Sequence, residues 1–114
     1  MIRKFESGAS RDMEDGKLDF DGSLSPLVLK GFAEYMKTNC IQKDGNYRPE
    51  ENWKKGIPKE SYIKSMWRHF HDLWMNYEGY ESRDGLDHAM YGLLFNVMGF
   101  IHETEKEKLN ETNE

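Results

Sequence analysis

Two pairs of side chains spaced three residues apart carry the polar chemistry of this 114-residue chain. His69 and Asp72 are the first pair: on a helix both point toward one ion, and Lys64 and Arg68, one turn back on the same side, can hold phosphate oxygens. Asp84 and Asp87 repeat the spacing further along, and Asp84, His88, Gly92 and Asn96 form a ladder that Gly99 and Glu103 continue. Asp87 falls beside Leu94 and Met98 at the border of an apolar face, where a carboxylate is either a metal or substrate ligand or an acid paired with a neighbouring base. Asn96 suits three tasks: reading a base edge, coordinating a metal, or capping a buried hydrogen-bond network. Glu34, which interrupts Phe32-Ala33-Glu34-Tyr35-Met36, is either a third carboxylate of the same cleft or a surface residue. The plainer reading of the stripe Lys64, Ser65, Arg68, His69, Asp72 and Asn76 is a solvated helix face, whose ion pairs contribute only a few tenths of a kcal/mol.

These groups need helices to hold them, and the sequence supplies three. Ser25 is an N-cap and Pro26 suits the first helical position, so Leu27, Val28, Phe32, Tyr35 and Met36 predict a helix over Pro26 to Thr38. Asn39 to Gly56 is rich in turn signals, is longer than an ordinary connection and has Trp53 as its anchor, which makes it a functional candidate. A second helix is expected over Pro58 to Tyr77. On a 100° wheel its Tyr62, Ile63, Met66, Trp67, Phe70, Leu73, Trp74 and Tyr77 share an arc of about 140°, expected to be the core stripe. A third runs from Asp84 or Gly85 to beyond Glu103, with Leu86, Met90, Leu93, Leu94, Val97, Phe100 and Ile101 as its core face. Gly92 and Gly99 inside it each cost about 1 kcal/mol relative to alanine, which close helix packing or a ligand against the backbone would repay. No segment reads as a strand. The expectation is a single all-α domain: an extended arm over residues 1–24, a helical core over 25–103 and a polar acidic tail over 104–114.

Composition narrows the classes. Sixteen Lys and Arg against 21 Asp and Glu leave a net charge of −5, with acid concentrated in the tail and a local basic patch between Arg48 and Asp72. Duplex nucleic acid wants a broad basic surface, so a small phosphorylated ligand is the better match. The lone Cys40 permits no internal disulfide, no apolar run reaches the roughly 20 residues of a membrane span, and no signal peptide opens the chain. A cytoplasmic protein is expected. With 13% aromatic residues on so few helices, a homo-oligomer is expected as well.

Three resemblances follow from these residues. His71-Asp72, with His69 and His88 nearby, is similar to the dipeptide of HD-domain metal phosphohydrolases, although His71 falls on the side of its helix away from His69. His69-x-x-Asp72 and Asp84-x-x-Asp87 resemble in spacing the paired acidic motifs of all-α MazG-type nucleotide pyrophosphohydrolases, with altered ligands and with Gly92 where those proteins carry an Asp. The whole chain resembles the phage dATP/dGTP diphosphohydrolase family, which is related to the MazZ enzymes within the MazG-like group. The match runs through Arg3-Lys4-Phe5, Gly8-Ala9-Ser10-Arg11-Asp12, Gly16-Lys17-Leu18-Asp19, Leu24-Ser25-Pro26-Leu27-Val28-Leu29 and Phe32-Ala33-Glu34-Tyr35-Met36. It continues through Asn52-Trp53-x-Lys55-Gly56-Ile57-Pro58, Lys64-Ser65-Met66-Trp67-Arg68-His69-Phe70-x-Asp72-x-Trp74 and Leu93-Leu94-Phe95-Asn96-Val97-Met98-Gly99.

That resemblance implies an all-α fold and hydrolysis of a purine dNTP to the dNMP and pyrophosphate. It implies Mg²⁺, or Mn²⁺ where an imidazole is a ligand, held by Asp72, Asp87, Glu34 and His69, with Lys55, Lys64 and Arg68 on the β- and γ-oxygens. In the same reading Arg3 and Lys4 belong to an arm that closes over the site or over a partner subunit. The competing functions are a non-catalytic phage protein that sequesters a nucleotide or inhibits a host factor, and an interaction module that works through its acidic tail.

Overall fold

A computed structural model describes residues 2–12 and 16–113; residues 1, 13–15 and 114, parts of the expected arm and tail, lie outside the described residues. The chain is mostly helical, as expected. Strands β1 (Ile2–Lys4) and β2 (Ser10–Asp12) are followed by a single turn α1 (Phe20–Ser23), by α2 (Pro26–Thr38), by a 3₁₀ helix (Glu50–Lys55), and by the two long helices α3 (Lys59–Tyr77) and α4 (Leu86–Asn113).

The arm corrects one expectation. It folds back as an antiparallel hairpin pairing Ile2 with Asp12 and Lys4 with Ser10. Strands of three residues are too short for an alternating pattern to show in sequence.

α2 starts where its cap predicts, with the Ser25 hydroxyl accepting from the Val28 N–H at 3.2 Å and Pro26 in the first turn. The long connection that follows is stapled into a small hairpin by Arg48 N–H to the Cys40 carbonyl and by an isolated bridge between Ile41 and Tyr47. α3 ends in a Schellman motif: Tyr80 N–H reaches the Met75 carbonyl, Gly79 N–H reaches Asn76, and Gly79 takes the positive φ of 89° that this closure requires. α4 then runs back along α3, and the two make the principal packing of the chain.

The face on which they meet is not the aromatic one. Tyr62, Ser65, His69, Asp72 and Asn76 of α3 are buried or half-buried, as are Ala89, Gly92, Asn96, Gly99 and Glu103 of α4. Both series step by alternate threes and fours, the pattern of an antiparallel helical seam. A Cβ added to Gly99 would stand 2.3 Å from the Tyr62 ring, and one added to Gly92 would stand 2.5 Å from the His69 ring. Each glycine therefore makes room for a ring from the facing helix, which is what its cost in helix propensity obtains. Of the expected core stripe, Tyr62 is buried in the seam and Met66 and Leu73 are half-buried, but the rest lies outside: Trp67 is 70% exposed, Trp74 55% and Tyr77 80%. On α4, Met90, Leu94 and Ile101 are exposed too.

The fold is correspondingly open. Its radius of gyration is 19.5 Å and it measures 60 × 40 × 28 Å, whereas a compact chain of this length has a radius near 13 Å. It presents 9453 Å² to solvent, against about 6,500 Å² for a compact monomer of this mass. No helix among the described residues is long and apolar enough to cross a membrane.

Candidate active site

α2 lies against the first half of α4 through aromatic rings. Tyr35 meets His88 edge-on with centroids 4.8 Å apart and lies 6.2 Å from Tyr91, while Gly31 gives way to the Tyr91 side chain. Two adjoining cavities open beside this contact, and Tyr35 lines both.

The first cavity, about 490 Å³, lies between α2 and the start of α4; Glu34, Asp84, Asp87 and His88 line it. Three carboxylates facing one cavity make a negative, oxygen-rich surface, relieved by Arg83, whose Nε donates to Asp84 Oδ2 at 3.1 Å. The second cavity, about 220 Å³, is bounded by α2, the long connection, the 3₁₀ helix, α3 and α4. Its walls are the rings of Tyr35, Trp53 and Phe95; its polar lining includes Asn96, His69, Asn39, Asn52, Glu50 and Arg48. The connection that is unusually long in sequence is thus one wall of this cavity.

Electrostatics differ between the cavities. Burial pushes the Tyr35 phenol above its usual range, the Asp84 charge adds to this, and Arg83 and Arg48 oppose it, so the hydroxyl stays protonated at neutral pH. Burial, followed by the charge of Arg83, pushes His69 below its usual value despite Asp84 and Asp72, so the ring is neutral at pH 7. Its Nδ1 is buried without a hydrogen-bond partner.

The ligands expected together are divided. Glu34 and Asp87 line the first cavity, whereas His69 and Asn96 line the second. Asp72 faces neither: its buried carboxylate accepts from the backbone N–H groups of Arg83 at 2.7 Å and Asp84 at 3.1 Å. It thereby holds the turn that begins α4, where a negative charge also suits the helix dipole. Among the described residues no three His, Cys, Asp or Glu side chains converge to hold a metal.

Of the expected phosphate-binding residues, Lys64 is exposed and paired with Glu60 at 3.4 Å, and Arg68 and Lys55 are exposed. None of these three lines either cavity. Arg3 and Lys4 lie on β1, with the Arg3 guanidinium 5.1 Å from the Phe5 ring centre. The cations beside the cavities are Arg48 and Arg83. The length of the loop that carries Arg48 was a signal for it; nothing in the spacing marks Arg83.

No curated protein and no solved structure matches the chain. The family model described as dATP/dGTP diphosphohydrolase, N-terminal, matches residues 7–112, a span that takes in both cavities and every helix lining them, and the chain belongs to that family.

Proposed function

We propose that the chain hydrolyses a purine deoxynucleoside triphosphate to the monophosphate and pyrophosphate, with the triphosphate against the acidic cavity and the base in the aromatic one. The observation that carries this reading is that two chemically different cavities share Tyr35 in their lining. Family membership supplies the substrate class. The reaction forms a bond from a water oxygen to the α-phosphorus and breaks the bond from that phosphorus to the α,β-bridging oxygen. Pyrophosphate leaves with the electron pair, and the proton of the water passes to a carboxylate of the cavity.

Mg²⁺ fits this donor set: it takes hard oxygen ligands, keeps several waters, and is ordinarily held by one or two carboxylates together with substrate phosphates, so three converging protein ligands are not required. One or two of the cavity carboxylates, from among Glu34, Asp84 and Asp87, would hold it, and it would supply charge neutralisation at the phosphates. The roles of the chain's own residues follow from their positions. Asp72 keeps Asp84 and Asp87 at the cavity by fixing the start of α4, Arg83, paired with Asp84, offsets negative charge there, and Tyr35 lines both cavities.

The working form is a homo-oligomer in the cytoplasm of a phage-infected cell, acting on the nucleotide pool. The area supports association: the chain exposes close to 3,000 Å² more than a compact monomer of its mass, and a stable obligate dimer hides about 1,000–2,500 Å² on each subunit. The excess is rich in the aromatic face of α3.

Incubation with dATP or dGTP and Mg²⁺ is expected to release pyrophosphate, with Glu34→Gln and Asp87→Asn each losing at least a hundredfold in rate while keeping the wild-type melting point. Intact triphosphates after overnight incubation at high protein concentration would sink the hydrolytic reading. Saturable nucleotide binding without turnover would establish instead the sequestering function.

A further inference from the structure

We infer that the α3–α4 hairpin docks on the same hairpin of a second copy, through a second seam beside the first, and that the resulting four-helix bundle leaves the cavities facing outward. The inference supplies the face and the partner for the association proposed above and rests on it, not on hydrolysis.

The seam between α3 and α4 has a neighbouring track on either side. One residue before it on α4 stand His88, Tyr91, Phe95 and His102, and these carry α2 and the 3₁₀ helix through the rings of Tyr35 and Trp53. One residue after it stand Met90, Leu93, Val97 and Phe100 on α4, and Ile63, Met66, Phe70, Leu73 and Tyr77 on α3. Both of these series step by threes and fours, as the seam does, and both consist of large apolar or aromatic side chains. A helix with such a repeat presents a stripe that packs against another helix. One residue is about 100° of rotation. Because α3 and α4 run antiparallel, the same rotation on each brings both series to one side of the hairpin, away from α2.

That side is apolar and uncovered. Met66, Leu73, Leu93 and Val97 are half-buried along its middle, while Ile63, Phe70, Trp74, Met90, Leu94 and Ile101 beside them are each at least 40% exposed. No residue from Met90 to Ile101 is charged, and on α3 the charges of Lys64, Arg68 and Asp72 fall in the seam or on the opposite flank. Half-exposed side chains of this size present about 100 Å² apiece, so the face offers on the order of 800 Å², the share one partner gives to a standard interface. An apolar patch of that extent marks a contact surface.

The chemistry of the face names its occupant. It holds no charge for a polar partner to pair with, and its repeat, about 21 Å long from Ile63 to Tyr77, fits helices of matching length and polarity. The same hairpin of a second copy supplies both. His69 faces Gly92 and Tyr62 faces Gly99 across the seam, so Phe70 and Leu93 stand at nearly one height, midway along the face. A two-fold axis there pairs the face with itself and closes four helices around one apolar core. Both cavities are lined by α2 residues and so open on the other flank, one pair to each copy.

The experiment is sedimentation of the chain over about a hundredfold range of concentration, beside a variant with charge at the middle of the face, Phe70→Glu with Met90→Glu. Wild type is expected at twice the mass of the chain, with a melting temperature that rises with concentration. The variant is expected to be monomeric with its helical circular dichroism retained, and Ser61→Glu, an exposed position on the opposite flank of α3, to stay dimeric. Where the variant fails to fold, dilution of the wild type decides. Trp67 and Trp74 flank the face, so fluorescence emission should move to the red as the dimer dissociates, and dissociation with unchanged emission overturns the inference. A wild type that is monomeric throughout overturns both this inference and the association proposed above. A dimer that survives in the folded variant keeps association and overturns this face. Titration with α,β-methylene dATP and Mg²⁺ should give equal affinity per chain in the dimer and in the monomeric variant; a loss of about tenfold or more in the folded monomer overturns the outward placement of the cavities. A dimer that binds no nucleotide supports this inference and removes the proposed function.

Discussion

Asp72 is the residue whose replacement best separates positioning from chemistry. Its carboxylate oxygens accept from Arg83 N–H at 2.7 Å and Asp84 N–H at 3.1 Å, and the residue is 6% exposed. Asp72→Ala leaves both donors without a protein partner. Each unsatisfied buried donor costs about 1–3 kcal/mol, and since Arg83 and Asp84 stand where water can reach part of the turn, the loss expected is in the lower half of the sum, about 2–4 kcal/mol. Against a typical stability of about 5–15 kcal/mol, that is a large fraction. Asp72→Asn keeps one acceptor and turns an amide N–H toward the other donor, so it should cost nearly as much. Urea denaturation followed by circular dichroism reads the global loss, and amide hydrogen exchange at Arg83 and Asp84 reads the local one. Hydrolysis should fall in both variants, because Asp84 and Asp87 lose their anchor, and should recover in part on cooling or with a stabilising osmolyte. Asp72→Ala with an unchanged urea midpoint, unchanged exchange at Arg83 and Asp84, and no activity would refute the reasoning and make the carboxylate a chemical participant.

Gly99→Ala places a methyl against the Tyr62 ring; overpacking of about 1–3 kcal/mol, offset by about 1 kcal/mol of helix propensity, should lower stability by up to about 2 kcal/mol in the same urea assay. Tyr62→Phe should act in the other direction, since the Tyr62 hydroxyl and Glu103 Oε1 are both buried without hydrogen-bond partners, and removing an unpaired hydroxyl is neutral or stabilising. Burial, then the Glu103 charge, raises the Tyr62 phenol pKa. The folded state therefore keeps its proton while the unfolded state releases one above about pH 10, and wild type should lose stability with rising pH more steeply there than Tyr62→Phe. Trp67→Glu with Trp74→Glu, both on the exposed face of α3, should convert the proposed oligomer to monomer in sedimentation velocity; a wild-type protein that already sediments as a monomer, or an unchanged coefficient in the variant, would refute association through this face.

Much of the fold was legible from local signals, and the site was legible in pieces. Ser25 and Pro26 fix the start of α2 through chemistry confined to four residues, and the structure keeps that start. The ladder of Gly92, Asn96 and Gly99 announced a face under constraint, and the constraint is the rings of His69 and Tyr62. The division of the expected ligands was not legible. Periodicity places His69 and Asp72 on one side of one helix, and it does so correctly. It does not say that, within one turn of the helix, one side chain goes to a cavity and the other to a turn more than ten residues downstream. That partner is set by the Schellman closure at Gly79 and the path of the chain through Arg83, a tertiary fact without a sequence period.

The inverted helix faces have a physical cause that bears on function. A helical wheel ranks faces by hydrophobicity and assigns the most apolar one to the core, a rule that holds when the chain must bury that face by itself. Here the seam between α3 and α4 uses small and polar residues because glycine and alanine let the backbones come close enough for Tyr62 and His69 to lie flat on the opposite helix. A seam built that way hides little apolar area, and Trp67, Phe70, Trp74 and Tyr77 remain outside. Burying such side chains contributes about 1.5–3 kcal/mol apiece, so their exposure on one chain is a standing incentive to associate. The polar seam, in turn, puts Asn96 and His69 at the floor of a cavity whose other walls come from the same subunit. The cavity and the exposed aromatic residues therefore lie on different sides of α3, and a substitution on the aromatic face should change any self-association before it changes nucleotide turnover.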